Sequence, residues 1–485
     1  MCDNNMSFEE CELRLLRNAV DKLEKQSKKK IIMNPEINRM ILILEDFLKK
    51  TKRPCYGGTA INNILPKNDQ FYDKNIDIPD YDFYSPTPLK DAVNLANIFY
   101  RAGFDEVEAK SGVHQGTFKV FVNYIPIADI TYLVDEVYKS ISKDAIIVNN
   151  IYYTPPNFLR MNMYLELSRP QGDVSRWEKV LKRLTLLNKS YPLRGKQCQY
   201  EDIQRLFQYG TKNKIIKNKK KFDKKENDEI FLTDIEEKIF VTVKDSLISQ
   251  GCIFFGAYAN RLYLKSLKYL SKEKIPKIPD FDVLSEDPLK TATILKERLK
   301  AIGIKNIKIN KKPSVGEIIA EHYEVSIGPE SIVFIYEPLA CHSYNTITVE
   351  KKNINIATLD TLLSFYLAFL YVKRSYYKAN RILCMSEYLF RVQQQNRLTK
   401  RGLIKRWGDD CYGEQETLQD IRAKKTELYK KLKHNKNSKE YKWNFLRYIP
   451  ADYFKNEKKQ KRKSKKSKKK RKNKTKKKFL GIITY

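Results

Sequence analysis

Histidine is scarce, with four residues in 485, and the eight cysteines form no Cys-x-x-Cys pair. The histidines (His114, His322, His342, His434) do not cluster with the cysteines either. A zinc centre is therefore not expected. The scattered cysteines read as free buried thiols in a soluble protein of a reducing, intracellular compartment. Long apolar runs are also missing. No uninterrupted stretch approaches the ~18 residues that suggest a membrane helix, so no membrane partner is expected. The first ten residues are polar and acidic, which is not the pattern of a secretory signal. Acidic residues are in deficit: 58 Asp+Glu stand against 93 Lys+Arg, a formal charge of +35. An excess this large favours a polyanionic partner, nucleic acid before membrane. At ~150 residues per domain the length suits about three domains.

Along the chain, residues 7–28 read as a charged helix. A second helix opens at Pro35 and runs to about 51, with Ile37, Met40, Ile41, Leu44 and Leu48 at helical spacing. Cys55-Tyr56-Gly57-Gly58-Thr59-Ala60-Ile61-Asn62 puts a double glycine ahead of a short helical stretch. Ile78-Pro79-Asp80-Tyr81-Asp82-Phe83-Tyr84-Ser85 then reads as a strand. Thr87 caps a helix with Pro88 at its first position, and Gly103 ends it. Residues 117–133 alternate and read as a hairpin whose second strand carries a lone acid, Asp129. Residues 155–187 read as helical and basic, with Arg160, Arg169, Arg176, Trp177, Lys182 and Arg183. Residues 211–228 form a lysine-rich connection. From Asn456 to Lys478 there are 16 Lys+Arg and one Glu, a block too charged to collapse by itself.

The second half repeats the first. Ile278-Pro279-Asp280-Phe281-Asp282 answers Ile78-Pro79-Asp80-Tyr81-Asp82, and Ser285, Pro288, Leu289 and Gly303 answer Ser85, Pro88, Leu89 and Gly103 at an offset of 200. Gly256-Ala257-Tyr258 answers Gly57-Gly58-Thr59 at 199. A near-constant offset over such a run argues for a duplicated unit of roughly 200 residues rather than a short-period solenoid.

Residues i and i+2 of a strand share a face, so Asp80 and Asp82 are expected to project together. Two neighbouring like charges are costly unless a cation lies between them. Mg²⁺ suits carboxylate oxygens and keeps substrate phosphates in its other positions. The plainer alternative is a pair of solvent-facing acids on an edge strand. A glycine pair at a helix entrance lets backbone N–H groups approach phosphate oxygens. Asp129, inside an apolar strand, is preferred as a third acid over Asp105, Glu106, Glu108 and Asp135, because an unpaired carboxylate there is expensive. Its own alternative is pairing with a core Arg or Lys. Three acids and a glycine pair are what two-metal phosphoryl or nucleotidyl transfer needs.

This pattern resembles the DNA polymerase beta nucleotidyltransferase superfamily, whose hallmark is Gly-Gly or Gly-Ser, then Asp-x-Asp, then a later Asp. Together with Ser168-Arg169-Pro170-Gln171-Gly172-Asp173-Val174-Ser175-Arg176-Trp177 it is similar to the catalytic poly(A) polymerases of large cytoplasmic DNA viruses, closely to the mimivirus type and distantly to the poxvirus type. The resemblance implies an α+β fold of two tandem nucleotidyltransferase-like units with a disordered basic tail. It implies ATP as donor, an RNA 3′ end as acceptor, and Mg²⁺ or Mn²⁺ as cofactor. By motif match Asp80, Asp82 and Asp129 become metal ligands, and Gly57, Gly58 and Thr59 triphosphate contacts. A homodimer and a place in the host cytoplasm or virion are implied by resemblance only.

The expected division is an N-terminal helical region (1–52), a catalytic domain (53–210), a basic linker (211–228), a degenerate second copy (229–452) and a lysine-rich tail (453–485). The second copy keeps Asp280 and Asp282, but Gly58 is matched by Ala257, Thr59 by Tyr258, and the third-acid strand reads Ile332-Val333-Phe334-Ile335-Tyr336. It is expected to be inactive, because metal sites need their full ligand set. The expected function is template-independent addition of AMP to RNA 3′ ends. The alternatives are another RNA nucleotidyltransferase, of tRNA-end-adding or oligoadenylate type, and a non-enzymatic RNA-binding scaffold.

Overall fold

The structure is a computed structural model that describes residues 6–32, 34–72, 79–198, 234–265, 281–349, 351–396 and 406–455. The connection at 211–228, Asp280 and the basic tail from 456 onward lie outside the described residues.

The first half contains α1 (Phe8–Ile32), α2 (Pro35–Thr51), β1 (Cys55–Tyr56), α3 (Gly57–Ile64), β2 (Tyr81–Ser85), α4 (Pro88–Arg101), β3 (Val107–Ser111), β4 (Thr117–Val122), β5 (Ile125–Tyr132), α5 (Asp135–Lys143), β6 (Ile146–Val148), β7 (Ile151–Tyr153), α6 (Pro156–Leu167) and α7 (Trp177–Ser190). The second contains α8 (Asp234–Ser249), β8 (Ile253–Phe255), α9 (Gly256–Lys265), β9 (Phe281–Leu284), α10 (Pro288–Ala301), β10 (Ile307–Lys312), β11 (His322–Ile327), β12 (Glu330–Tyr336), β13 (His342–Val349) and β14 (Lys352–Ala357). It continues with α11 (Leu359–Phe369), α12 (Ala379–Asn396), β15 (Cys411–Tyr412), α13 (Leu418–Leu432), α14 (Lys439–Phe445) and β16 (Arg447–Tyr448). Two compact units divide these elements. One takes the chain up to Leu133, Ala145–Tyr153 and residues from Asp420; the other takes Val134–Asp144 and Thr154–Gln419.

Each unit holds an eight-stranded mixed sheet. The first runs β16-β3-β4-β5-β2-β1-β7-β6 and the second β10-β11-β12-β9-β8-β14-β13-β15. Without β16 and β15, the two orders match strand for strand. The directions match as well: β2–β5 and β9–β12 are parallel, β1–β7 and β8–β14 are parallel, and β1–β2 and β8–β9 are antiparallel. The sequence repeat is therefore a repeat of topology, and the expected α+β class with two mixed sheets is observed.

In the first unit, the helix expected over 35–51 forms with those limits. Asn34 caps it by accepting from the Glu36 N–H at 2.9 Å. Its apolar stripe, Ile37, Met40, Leu44, Phe47 and Leu48, is buried. Strand β2 turns alternate residues onto this layer. Phe83 meets Phe47 at 5.9 Å, the Tyr81 hydroxyl donates to Glu45 at 2.8 Å, and the Ser85 hydroxyl donates to Asp91 of α4 at 2.6 Å. By the period of a strand, Asp82 and Tyr84 must point to the opposite face.

In the second unit, every residue of α11 is buried, and its one carboxylate, Asp360, is paired with Arg406 at 2.8 Å. Two expectations need correction here. Residues 155–187 are not one helix but α6 and α7, with a turn closed by Gly172 N–H donating to Arg169 O at 3.0 Å. Pro170 explains the break, since it pushes the residue before it out of the helical region. The free-thiol expectation holds for Cys55 and Cys252, which are buried, and burial pushes the Cys252 thiol up to about 12. It fails for Cys198–Cys384 and Cys341–Cys411, which are disulfides with Cα separations of 5.4 and 5.2 Å. Cys11 is disulfide-bonded too. The Cys198–Cys384 and Cys341–Cys411 partners are 186 and 70 residues apart, so only the fold brings them together.

Candidate active site

Strand β1 ends in Tyr56, which pairs with Asp82 across the antiparallel ladder. The chain then turns directly into α3. That turn needs Gly57 for two reasons. Its φ is +76°, a region that side chains with a Cβ rarely occupy. A Cβ there would also run into the Asp82 carboxylate. Tyr56 provides no side-chain cap for α3. Thr59, in the first turn of that helix, is 4% exposed, and its hydroxyl has no hydrogen-bond partner. A buried hydroxyl left without a partner costs about 1–3 kcal/mol, which a phosphate oxygen at this helix start would recover. Gly58 lies between them, half-buried.

Asp82 and Asp129 are direct neighbours in the parallel β2–β5 ladder and so share a face. Asp129 is partly buried, and Lys119, its partner in the antiparallel β4–β5 ladder, forms an ion pair with it. The pairing alternative weighed for this acid is thus present, with the cation on the neighbouring strand. Asp80 is exposed and lies one residue before β2 begins. Among the described residues, no three His, Cys, Asp or Glu side chains are gathered as a metal site. The donor set still suits a hard divalent ion. Two carboxylates stand side by side beside a glycine-led helix start, and such ions leave positions for phosphate oxygens.

Sequence reasoning missed part of this face. Tyr84, two residues after Asp82, stacks on Tyr56 with centroids 4.1 Å apart and planes 16° apart. The Tyr56 hydroxyl is 2.8 Å from the hydroxyl of Thr131, two residues after Asp129. Burial, with help from Tyr84 and Asp82, pushes the Tyr56 hydroxyl well above its usual range, so it stays neutral. Counting by twos along β2 and β5 from the acids would have found Tyr84 and Thr131.

The second unit repeats the scaffold with different side chains at the matching positions. Gly256 has φ +68°, and a Cβ on it would again meet a carboxylate, that of Asp282. Tyr258, in the place of Thr59, fills the space with a ring that contacts Phe254 at 5.2 Å and Phe281 at 5.3 Å. The residue opposite Asp282 in the parallel β9–β12 ladder is Phe334. The basic residues at 160–183 also belong to this unit. Arg160 is 1% exposed and serves the core: its guanidinium donates to Asn188 at 2.6 Å, to Asn157 and to the Tyr191 carbonyl. Trp177 is half-buried and donates to the Glu166 carbonyl at 3.1 Å.

A glycine-led helix start thus stands against acids on adjacent parallel strands, on a sheet topology present in two copies. Residues 42–173 match the family model of the poly(A) polymerase catalytic subunit, and over that segment the chain is similar to viral proteins described as poly(A) polymerase catalytic subunits. It is 37% identical over 155 residues to a protein of Acanthamoeba polyphaga mimivirus assigned as such a subunit, covering 31% of this chain and 26% of that one. It is 30% identical over 165 residues to the corresponding protein of African swine fever virus, covering 33% and 34%. The chain thus spans about a quarter to a third of the length of the curated relatives it matches. The crystal structure of the Megavirus polyadenylate synthase superposes with a TM-score of 0.72 at 20% identity, covering 94% of this chain and 89% of that one. At that identity the likeness is one of fold. Among the described residues, no helix is long and apolar enough to cross a membrane.

Proposed function

We propose that this chain is a polynucleotide adenylyltransferase that adds AMP from ATP to RNA 3′ ends without a template. The RNA 3′-hydroxyl oxygen attacks the α-phosphorus of ATP; the bond from that phosphorus to the bridging oxygen breaks, and pyrophosphate leaves. The observation that carries this reading is the ladder pairing of Asp82 with Asp129 beside the Gly57 turn and the unpartnered Thr59 hydroxyl. Gly57 and Gly58 let the first N–H groups of α3 face the triphosphate, and Thr59 donates to it. Asp80, Asp82 and Asp129 would hold Mg²⁺ or Mn²⁺, which supplies charge neutralisation for the triphosphate and activation of the attacking hydroxyl. Lys119 neutralises Asp129 when no ion is bound. The copy within 53–210 is the catalytic one and the copy within 229–452 is inactive. The protein acts in the host cytoplasm or virion, as a homodimer.

Incubation with a short RNA and each nucleoside triphosphate in turn tests the reaction. A long product from ATP alone is expected. A short product of fixed sequence points to another RNA nucleotidyltransferase. Asp80→Ala combined with Asp82→Ala should abolish tailing, and survival of activity would sink the assignment. Sedimentation gives the oligomeric state.

A further inference from the structure

We propose that α13 and α14 form a docking surface for single-stranded RNA on the first unit; this rests on the reading above, in which RNA is the acceptor. Between residues 418 and 447 there are ten Lys and Arg against three Asp and Glu. No residue of α13 is buried, although a helix of 15 residues ordinarily hides one face. Arg422, Lys430, Lys431 and Lys433 are exposed. Among these cations sits a ring. Tyr429 is 41% exposed and is held by the edge of Phe445 at 5.4 Å, with Tyr441 at 6.3 Å. Phe445 and Tyr441 are themselves 5.4 Å apart, so the exposed ring rests on a supported cluster.

The helical hairpin made by α13 and α14 is fastened to the sheet that carries Asp82 and Asp129. Trp443 lies edge-on to Phe118 at 5.5 Å and to Tyr132 at 5.3 Å. The Lys425 ammonium donates to the Gly112 carbonyl, and Ser111 N–H donates to the Leu446 carbonyl at 3.0 Å. Strand β16 then extends the sheet beside β3. Tyr132 is three residues beyond Asp129 on β5, roughly 10 Å along a strand. A chain bound to the hairpin is therefore held by the same compact unit as the candidate site.

Cations interleaved with an exposed, supported ring fit a single strand, whose phosphates meet the lysines and whose unpaired bases stack. A duplex hides its bases from Tyr429, and an acidic protein surface needs only the charges.

The experiment uses the full chain and a fluorescent oligo(A) of about fifteen nucleotides. Hydrogen exchange should slow over 418–447 when the RNA is added. Replacing Lys430, Lys431 and Lys433 together by Gln should weaken binding at least tenfold near 0.15 M salt and flatten the log–log salt slope by about 2, since each lost cation removes about 0.7 for a single strand. Tyr429→Ala should weaken the single strand at least fivefold and leave a duplex of equal length unchanged. Unaltered exchange over this segment, or wild-type affinity in both variants, overturns the proposal. Equal protection by heparin with a neutral Tyr429→Ala overturns it too, by reducing the surface to a generic polyanion site. The two readings fail separately. RNA binding through the hairpin without any tailing defeats the proposed function alone. Normal tailing with an unaltered hairpin defeats this surface alone.

Discussion

Phe334 stands opposite Asp282 in the second sheet where Asp129 stands opposite Asp82 in the first. The two ladders share direction and strand order, so the substitution removes one carboxylate from an otherwise repeated scaffold. Asp129→Ala should cut AMP transfer by at least about a thousandfold, as expected when a group that neutralises transition-state charge is lost. Asp280→Ala with Asp282→Ala should leave the rate within a few-fold. Single-turnover AMP incorporation reads both, and total loss in the second pair would sink the reading of the second copy as inactive.

Gly57 and Gly103 separate conformational from steric cost. Both have positive φ, but a Cβ at Gly103 meets nothing within 4 Å whereas one at Gly57 meets Asp82. Gly103→Ala should cost about 1–2 kcal/mol of stability and leave ATP affinity alone. Gly57→Ala should lose ATP affinity as well. Paired melting curves and ATP titrations check this, and a Gly57→Ala protein with normal ATP affinity would count against the triphosphate assignment.

Lys119 is the counter-ion of Asp129. Lys119→Met leaves Asp82 and Asp129 as adjacent like charges without it, which is unfavourable. The variant should melt lower than wild type without metal and gain more from added Mn²⁺. Equal Mn²⁺ shifts in the two proteins would show that the carboxylates do not share an ion.

Cys198–Cys384 and Cys341–Cys411 both clip the second unit. Each closes a long loop, and removing such a bond typically costs roughly 2–5 kcal/mol. Reduction should lower the unfolding midpoint, and Cys384→Ser should reproduce part of that loss without reductant. A midpoint indifferent to reductant would refute the bridges.

His342 is 1% exposed, and neither ring nitrogen has a hydrogen-bond partner. Burial first, and the Arg169 charge second, lower its pKa to about 3. The unfolded chain takes up this proton near pH 6.5 and the folded one only near 3, so between those values the unfolded state binds more protons and stability falls as pH falls. One such group contributes at most about 1.4 kcal/mol per pH unit. His342→Phe should flatten the acid side of a stability–pH profile, and an unchanged slope would place the titration elsewhere.

The sequence by itself determined that the fold is duplicated. Side-chain chemistry recurring at an offset of 200 survives only where the same turns, caps and strands are needed twice. Local chemistry also determined the helix from Pro35, the helix start at Pro88, the glycine turn at Gly57 and the pairing of a polar with an apolar face in β2; Thr87, expected to cap the helix at Pro88, makes no side-chain capping bond. Those depend on neighbours within a few residues, and linear spacing records them. Tertiary structure alone decided that Phe334 faces Asp282, that Lys119 takes Asp129, that Tyr84 stacks on Tyr56 and that Cys198 reaches Cys384. It also decided that residues after 420 return to the first sheet, where β16 pairs with β3. These contacts join segments tens to hundreds of residues apart. Their partners are selected by ladder register and by what the core leaves room for, and a linear chain carries neither until it has folded.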